Sequence, residues 1–354
     1  MARPCCAAAA GTLLAACFAG TCFAAKAATT AATSAATFSA TPPKGVSLVG
    51  EEPLYVKNLS PVAGLAGLPS QRSAAVGEAG SWQFALHGSL ASHYVRDRAS
   101  AEALNLDGET QRLALELRYA FAPDWELQLE LPWLRQDGGF LDSAIDGWHD
   151  FWGMPDGGRG EAPGDVLDYR YADPALRFAL RDDSSGLGDA TLALQHAVYH
   201  SQGATVSLAA GYKFGSGDAG DFTGSGEGDV YAALRASGAG LAGLPLDWHA
   251  QAGYLRAGEV AMLGPRQERD LWFAGTALSW RFAGHWRLLG QLDAHAAPLD
   301  SDIDALGSTA MLLSAGLRWQ PDPTWALDVT VIEDIAVETA PDVVFQLDLR
   351  YRPR

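Results

Sequence analysis

Cysteine is absent from the chain after residue 22. The four cysteines before that point lie in an Ala-rich apolar stretch that follows Arg3; they are Cys5, Cys6, Cys17 and Cys22. A short charged start, an apolar run and small residues near Ala24 are typical of an export signal. We therefore expect residues 1–25 to be a signal peptide, cleaved after Ala24 or Ala27, and the exported chain to have no disulfide. In the alternative interpretation Cys17 is lipidated, and in both the protein leaves the cytoplasm.

Positive charge is also scarce. The chain has 25 Lys and Arg against 42 Asp and Glu, which gives a formal net charge of -17. A phosphate backbone is bound by clustered Lys and Arg, and the sequence has no basic run. The composition therefore predicts that nucleic acid is not a partner.

Long apolar runs are missing as well. No stretch of about 18 apolar residues follows the signal, which excludes a membrane-spanning helix. Residues 26–51 consist largely of Ala, Thr and Ser with a double proline, and we expect a disordered linker because they cannot pack a core. A membrane location would therefore require strands.

Alternation of apolar and polar residues dominates the chain from residue 80 onward. In one segment the apolar phase includes Leu113, Leu115 and Leu117, and the polar phase includes Glu116 and Arg118. The predicted strands run to about 11 to 15 residues, longer than soluble strands and long enough to cross a bilayer at a tilt. Aromatic residues also flank the tight turns, as an interfacial girdle requires. The sequence predicts an all-β fold: a transmembrane antiparallel β-barrel over residues 80–354 in a Gram-negative outer membrane, with a secreted β-sandwich or propeller as the alternative.

Alternating connection lengths give the number of strands. Long loops are predicted at 96–108 and at four later positions, with short turns between them, and the two halves of the chain agree if residues 172–182 form no crossing. We expect twelve strands, with 136–186 as one large extracellular excursion; fourteen strands is the alternative.

The excursion contains a predicted short amphipathic helix that Pro155 would end. Its functional interpretation is a lid over the barrel mouth, and the alternative is a helix that only shields the rim. The candidate lid and ligand contacts are Trp148, His149, Asp150, Phe151 and Arg159.

The polar phase of the strands would line a lumen with charges of both signs. Mixed signs pair and narrow a passage, whereas rings of one sign would select ions. Residues 52–79 are a hypothetical lumenal plug. The candidate lumen-lining residues are Arg112, Glu116, Arg118, Glu126, Glu130, Arg235, Arg287 and Arg318, with Arg350, Asp229, Asp247, Asp293, Asp328 and Asp348 beside them.

Several short motifs occur in a fixed order. They are 58–61 (NLSP), 67–69 (GLP), 106–110 (LDGET), 138–142 (GGFLD), 148–149 (WH), 157–159 (GGR), 333–335 (EDI) and 340–343 (APDV). In these motifs, over residues 52–352, the chain resembles a proteobacterial family of exported outer-membrane proteins of unknown function, DUF3187. The resemblance implies a barrel-like envelope protein and no established activity.

Catalytic and metal sites are not expected. His87, Ser89 and His93 would face the lumen, where a lipid-cleaving nucleophile is out of place, and no neighbouring acid can be assigned to orient a histidine. Asp300, Asp302 and Asp304 alternate as in a calcium loop but lack the closing acid, so we expect a solvated loop. No cofactor is expected.

The sequence therefore predicts a channel or passive transport barrel for small solutes, gated by residues 136–186. A non-conducting structural or surface-interaction barrel is the alternative, and a lipid-acting enzyme is the third hypothesis. The expected partners are outer-membrane lipid and lipopolysaccharide, and the barrel-assembly machinery with periplasmic chaperones during biogenesis.

Overall fold

The computed structural model describes residues 51–141, 164–201, 203–336 and 339–353. The strands are β1 (Trp82–Ala99), β2 (Glu102–Ala122), β3 (Trp125–Asp137), β4 (Tyr169–Ala172), β5 (Arg177–Leu180), β6 (Ser184–Leu187), β7 (Thr191–Ser201) and β8 (Ala204–Lys213). They continue with β9 (Asp229–Gly238), β10 (Leu246–Arg256), β11 (Asp270–Ala283), β12 (Trp286–His295), β13 (Ala310–Trp319), β14 (Trp325–Asp334) and β15 (Val343–Tyr351).

Helical structure is limited to single turns in the described ranges. These are Ala63–Leu65, Leu241–Gly243, Gly264–Arg266 and Asp304–Gly307. No helix in this part of the chain is long and apolar enough to cross a membrane.

Twelve antiparallel strands close into a ring. β1 pairs with β2 on one side and with β15 on the other, from Phe84↔Tyr351 to Ser92↔Val343. From β7 to β15 each strand pairs with the next, and β3 joins β2 to β7. The prediction of twelve strands is confirmed, and fourteen is wrong, because β4, β5 and β6 have four residues each and are too short to cross a bilayer.

The two ends of the ring differ in their connections. At the short-turn end the connections are 123–124, 202–203, 239–245, 284–285 and 320–324; at the long-loop end they are 138–190, 214–228, 257–269, 296–309 and 335–342, with the β1–β2 turn. Stacked rings mark the short-turn end, including Trp82 on Tyr119 at 4.3 Å between ring centroids and Trp125 on His196 at 4.0 Å. This is the aromatic girdle that the turn sequences predict.

The β1–β2 connection differs from its prediction. Residues 96–108 are not a long loop, because the paired strands continue to Ala99↔Glu102 and leave a two-residue turn. The physical reason is that Val95, Leu104 and Leu106 are buried in an apolar cluster, so the hairpin has something to pack against above the ring. β4 pairs with this extension at residues 103–105 and forms a hairpin with β5, within the predicted 136–186 excursion.

The two faces of the ring have opposite polarity. Outward side chains such as Leu115, Leu234 and Trp272 are exposed, whereas inward charged residues are buried. An exterior of exposed Leu, Val, Trp and Phe suits hydrocarbon, and the closed ring leaves no unpaired edge. The fold is a transmembrane antiparallel β-barrel.

Candidate functional site

The lumen of the barrel holds residues 52–76, which we call the inner segment. Leu54 and Tyr55 within it are completely buried. The segment folds back on itself: Ser73 N donates to Glu52 Oε2 at 2.9 Å, and Lys57 Nζ donates to Leu68 O at 2.9 Å. Its helical turn Ala63–Leu65 belongs to the long-loop end, because Leu65 joins the same apolar cluster as the β1–β2 extension.

All eight candidate lumen-lining residues are buried at no more than 7% exposure. Three of them, Arg118, Glu126 and Arg318, form a first charge layer around Glu52 of the inner segment. Arg118 Nη1 donates to Glu52 at 2.5 Å, and Arg118 Nε donates to Glu126 at 2.7 Å. Arg318 donates to both oxygens of Asp328 at 2.6 and 2.7 Å and to Glu52 O at 2.7 Å. Wall charges thus bind both the side chain and the backbone of the inner segment.

A second charge layer lies on β2 and β3. Arg112 Nη2 donates to Glu130 at 2.6 Å, and the inner segment adds Lys57 Nζ at 3.5 Å from the same carboxylate. Arg72 of the inner segment forms an ion pair with Glu116. The inner segment therefore supplies two cations to two wall glutamates.

The remaining candidate residues pair within the wall. Arg235 donates to Gln195 at 2.5 Å and to Gln251 at 2.8 Å, and Arg287 pairs with Asp247. Because Gln195 Nε2 also donates to Ser73 O at 3.1 Å, Arg235 is connected to the inner segment through one side chain.

Lys213 is an important lumen residue that the sequence analysis missed. Its ammonium lies 2.9 Å from both Asp189 and Asp229 and donates to Leu65 O at 2.8 Å. Asp229 also accepts a hydrogen bond from Gly67 N at 2.8 Å. The available signal was that Lys213 is the only lysine after Lys57 and stands in the polar phase of β8.

One side of the lumen is apolar. Leu54, Val56 and Leu59 of the inner segment pack in a buried cluster against the wall strands. The wall members of that cluster are Ala91, Leu289, Ala310, Leu312, Ile332 and Val344, with Ala340 from the preceding loop. The inner segment is thus held by ion pairs on one side and by apolar contacts on the other.

The absence of an acid beside His87 was a wrong expectation. His87 Nδ1 lies 2.7 Å from Asp348 Oδ1, and the two residues are direct partners in the β1–β15 pairing. Sequence reasoning could not find this acid because it is 261 residues away and is brought in by closure of the ring. His87 and Ser89 do not form a catalytic relay, since Ser89 Oγ donates to Gln346 at 2.9 Å.

Little free volume remains around the inner segment. A cavity of about 100 Å³ lies between it and the wall, lined by residues that include Lys57, Arg112, Gln136 and Lys213. In the described part of the chain no cluster of three or more His, Cys, Asp or Glu side chains could hold a metal ion. The candidate lid residues Trp148, His149, Asp150, Phe151 and Arg159, with the predicted short helix, lie outside the described residues.

Comparisons with known proteins give a family and a set of barrels. A family model described as "Protein of unknown function (DUF3187)" matches residues 29–353, and no curated protein matches the chain. An outer membrane channel from Pseudomonas putida F1 is similar with a TM-score of 0.48 at 13% identity, over 78% of this chain and 96% of that chain. The NanC porin is similar with a TM-score of 0.43 at 7% identity, over 76% and 98% of the two chains.

The KdgM porin, solved in complex with disordered oligogalacturonate, is similar with a TM-score of 0.41 at 8% identity, over 77% of this chain and 99% of that chain.

Proposed function

The chain belongs to the DUF3187 family, and from its own geometry we propose that it is an outer-membrane channel for small solutes that is closed by its inner segment. The observation that carries the proposal is the occupation of the lumen by residues 52–76, which are bound there by charged and polar side chains on one side and by apolar contacts on the other. We place the apolar exterior in outer-membrane lipid.

Displacement of the inner segment is physically reasonable because of the kind of contacts that hold it. A hydrogen bond to a charged group contributes only about 1.5–3 kcal/mol when it is exchanged for water, since both states remain hydrogen-bonded. The wall charges also keep partners without the segment, as the Arg112–Glu130, Arg118–Glu126 and Arg318–Asp328 pairs show. We assign closure of the lumen to the inner segment; of the 136–186 excursion, the β4–β5 hairpin pairs with the β1–β2 extension at the long-loop end.

A reversible lock tests the proposal. Residues 52–354 contain no cysteine, and a Cβ added at Gly316 would lie 2.7 Å from Leu54 Cδ2, which puts a Leu54→Cys, Gly316→Cys disulfide within reach. We expect single-channel conductance in planar bilayers to be absent in the oxidised pair and to return on reduction. Arg72→Met, which leaves Glu116 without its ion-pair partner from the segment, should raise the open fraction above that of the wild type.

The single variant Leu54→Cys is the matched control and should not respond to oxidant or reductant. Conductance through the oxidised pair would mean that the inner segment does not close the lumen. Absence of conductance from the wild type, the reduced pair and Arg72→Met, in protein that shows heat-modifiable gel mobility, would overturn the channel and favour a non-conducting structural barrel.

A further inference from the structure

Tyr55 of the inner segment packs closely against two wall residues, His87 and Arg112. Its ring stacks on the imidazole of His87 with 3.7 Å between centroids and 11° between planes. Its hydroxyl oxygen accepts a hydrogen bond from Arg112 Nη1 at 2.5 Å, and the side chain is completely buried. A phenol ring is therefore held by a stacking surface on its face and by a guanidinium at its oxygen.

The two wall groups are fixed without the help of Tyr55. His87 is held by Asp348 at 2.7 Å, and Arg112 is held by Glu130 at 2.6 Å. They lie on β1 and β2, which are paired directly, and their partners lie on the flanking strands β15 and β3. Groups on rigid strands whose rotamers are fixed by second partners form a preorganised binding site. We call the position between His87 and Arg112 the phenol slot.

Unused bonding capacity and access also mark the slot. His87 Nε2 is buried and has no hydrogen-bond partner among the described residues; Glu116 is 3.9 Å away. Arg112 also lines the 100 Å³ cavity beside the inner segment. A solute that entered the lumen as the segment moved would meet Arg112 at the edge of the slot.

The charges that stay on the wall select the kind of solute. When the segment leaves, Arg72 and Lys57 leave with it, and Glu116, Glu130 and Asp348 then outnumber Arg112 at this place. An aromatic carboxylate would be repelled, whereas a neutral hydroxyl can accept from Arg112 without adding charge. The apolar side of the lumen, with Leu312, Ile332 and Val344, suits the rest of an aromatic ring.

We propose that the phenol slot binds neutral hydroxylated aromatic compounds and that Tyr55 fills it as an internal substitute when the barrel is closed. This inference rests on the proposed function, because a solute reaches the slot only when the inner segment moves. Phenol-type compounds are then the substrate class of the channel.

Restoring the missing side chain with a small molecule tests the slot directly. Tyr55→Gly removes the whole side chain from Cβ outward, which p-cresol reproduces atom for atom. We expect folded Tyr55→Gly to bind p-cresol in calorimetric titrations, and to bind toluene at least about tenfold more weakly, because the charged hydrogen bond is lost. Adding Arg112→Met should remove the difference between p-cresol and toluene.

Tyr199→Gly is the matched control, since Tyr199 is 58% exposed on the barrel exterior and its loss should create no p-cresol site. Equal binding of p-cresol and toluene, or binding unchanged by Arg112→Met, would overturn the slot.

In the conducting Arg72→Met variant, p-cresol should reduce the current more than toluene does at equal concentration. If Arg72→Met conducts but p-cresol and toluene reduce the current equally, the proposed substrate class is wrong and the proposed channel stands. If the channel itself is wrong, the disulfide-lock experiment shows it, because the wild type, the reduced pair and Arg72→Met then fail to conduct.

Discussion

Lys213 carries a positive charge into the barrel wall, where Asp189, Asp229 and a backbone carbonyl surround its ammonium at 2.8 to 2.9 Å. Gly67 belongs to the same site, since an added Cβ would lie 2.8 Å from Lys213 Cδ and 3.0 Å from Asp229 Oδ2. Only a residue without a side chain lets the inner segment approach this closely. At the scale of the residue, the lumen is therefore held by buried charges with several partners each.

Replacement of Lys213 by Met should destabilise the protein by about 3–5 kcal/mol, because two buried carboxylates lose their cation. The measurement is the urea midpoint of the refolded barrel. Arg256→Met is the matched control: Arg256 and Asp270 are a pair with side chains 46% and 51% exposed, and losing it should change stability by at most about 1 kcal/mol. Equal losses in the two variants would contradict the role given to Lys213.

The β1–β2 hairpin extends above the ring and is fastened there to neighbouring loops. Glu102 accepts hydrogen bonds from Tyr171 Oη at 2.9 Å and from Asp302 N at 3.0 Å. Arg266 Nε donates to Asp173 at 2.6 Å, which joins the 257–269 loop to the β4–β5 hairpin. At the scale of the element, the long-loop end is a set of loops and hairpins that polar groups tie together over an apolar cluster.

The contact between Asp173 and Arg266 at the long-loop end should weaken in acid. Burial opposes ionisation of Asp173, but the N–H groups of Ala175 and Leu176 and the guanidinium of Arg266 lower the pKa of its carboxyl below the usual value. A depressed carboxyl pKa stabilises the folded state above the unfolded pKa of about 3.9, and the stabilisation is lost as pH falls through the folded pKa. We expect amide exchange of residues 166–182, corrected for its intrinsic pH dependence, to accelerate below about pH 4.

Asp173→Asn provides the comparison for this pH effect. It should exchange faster than the wild type at neutral pH and show no step in acid. A variant that keeps the wild-type step would assign the acid response to another group.

The whole molecule is organised by the opposite polarity of its two faces, with exposed apolar side chains outside and a filled, charged lumen inside. Membrane insertion of such a ring predicts that the effect of a charge outside depends on depth. Leu115 lies near the middle of the ring part of β2, and Phe121 lies beside the short-turn end. Leu115→Arg should destabilise the protein in phospholipid vesicles by about 2–4 kcal/mol and Phe121→Arg by about 0–1 kcal/mol, as measured by guanidinium unfolding. Losses that are the same at both positions would contradict a hydrocarbon belt centred on Leu115.

The fold class and strand number followed from the sequence because they depend on local patterns. A period of two assigns each residue to one face of a strand, and alternating loop lengths count the crossings. That is why the eight lumen-lining candidates were found before any pairing was known. The β1–β2 extension was missed because Leu104 and Leu106 resemble loop residues in the sequence, and only packing against β4 and the long loops buries them.

Only the tertiary structure decided which lumen groups meet and what fills the barrel. Glu52 and Arg118 are 66 residues apart, and Glu52 and Arg318 are 266 apart, so their contact depends on where the inner segment stops inside the closed ring. The pairing of His87 with Asp348 depends in the same way on the register that joins the first strand to the last. Alternation is set by each strand alone, whereas partners across a lumen are set by ring closure and by the path of the inner segment through it.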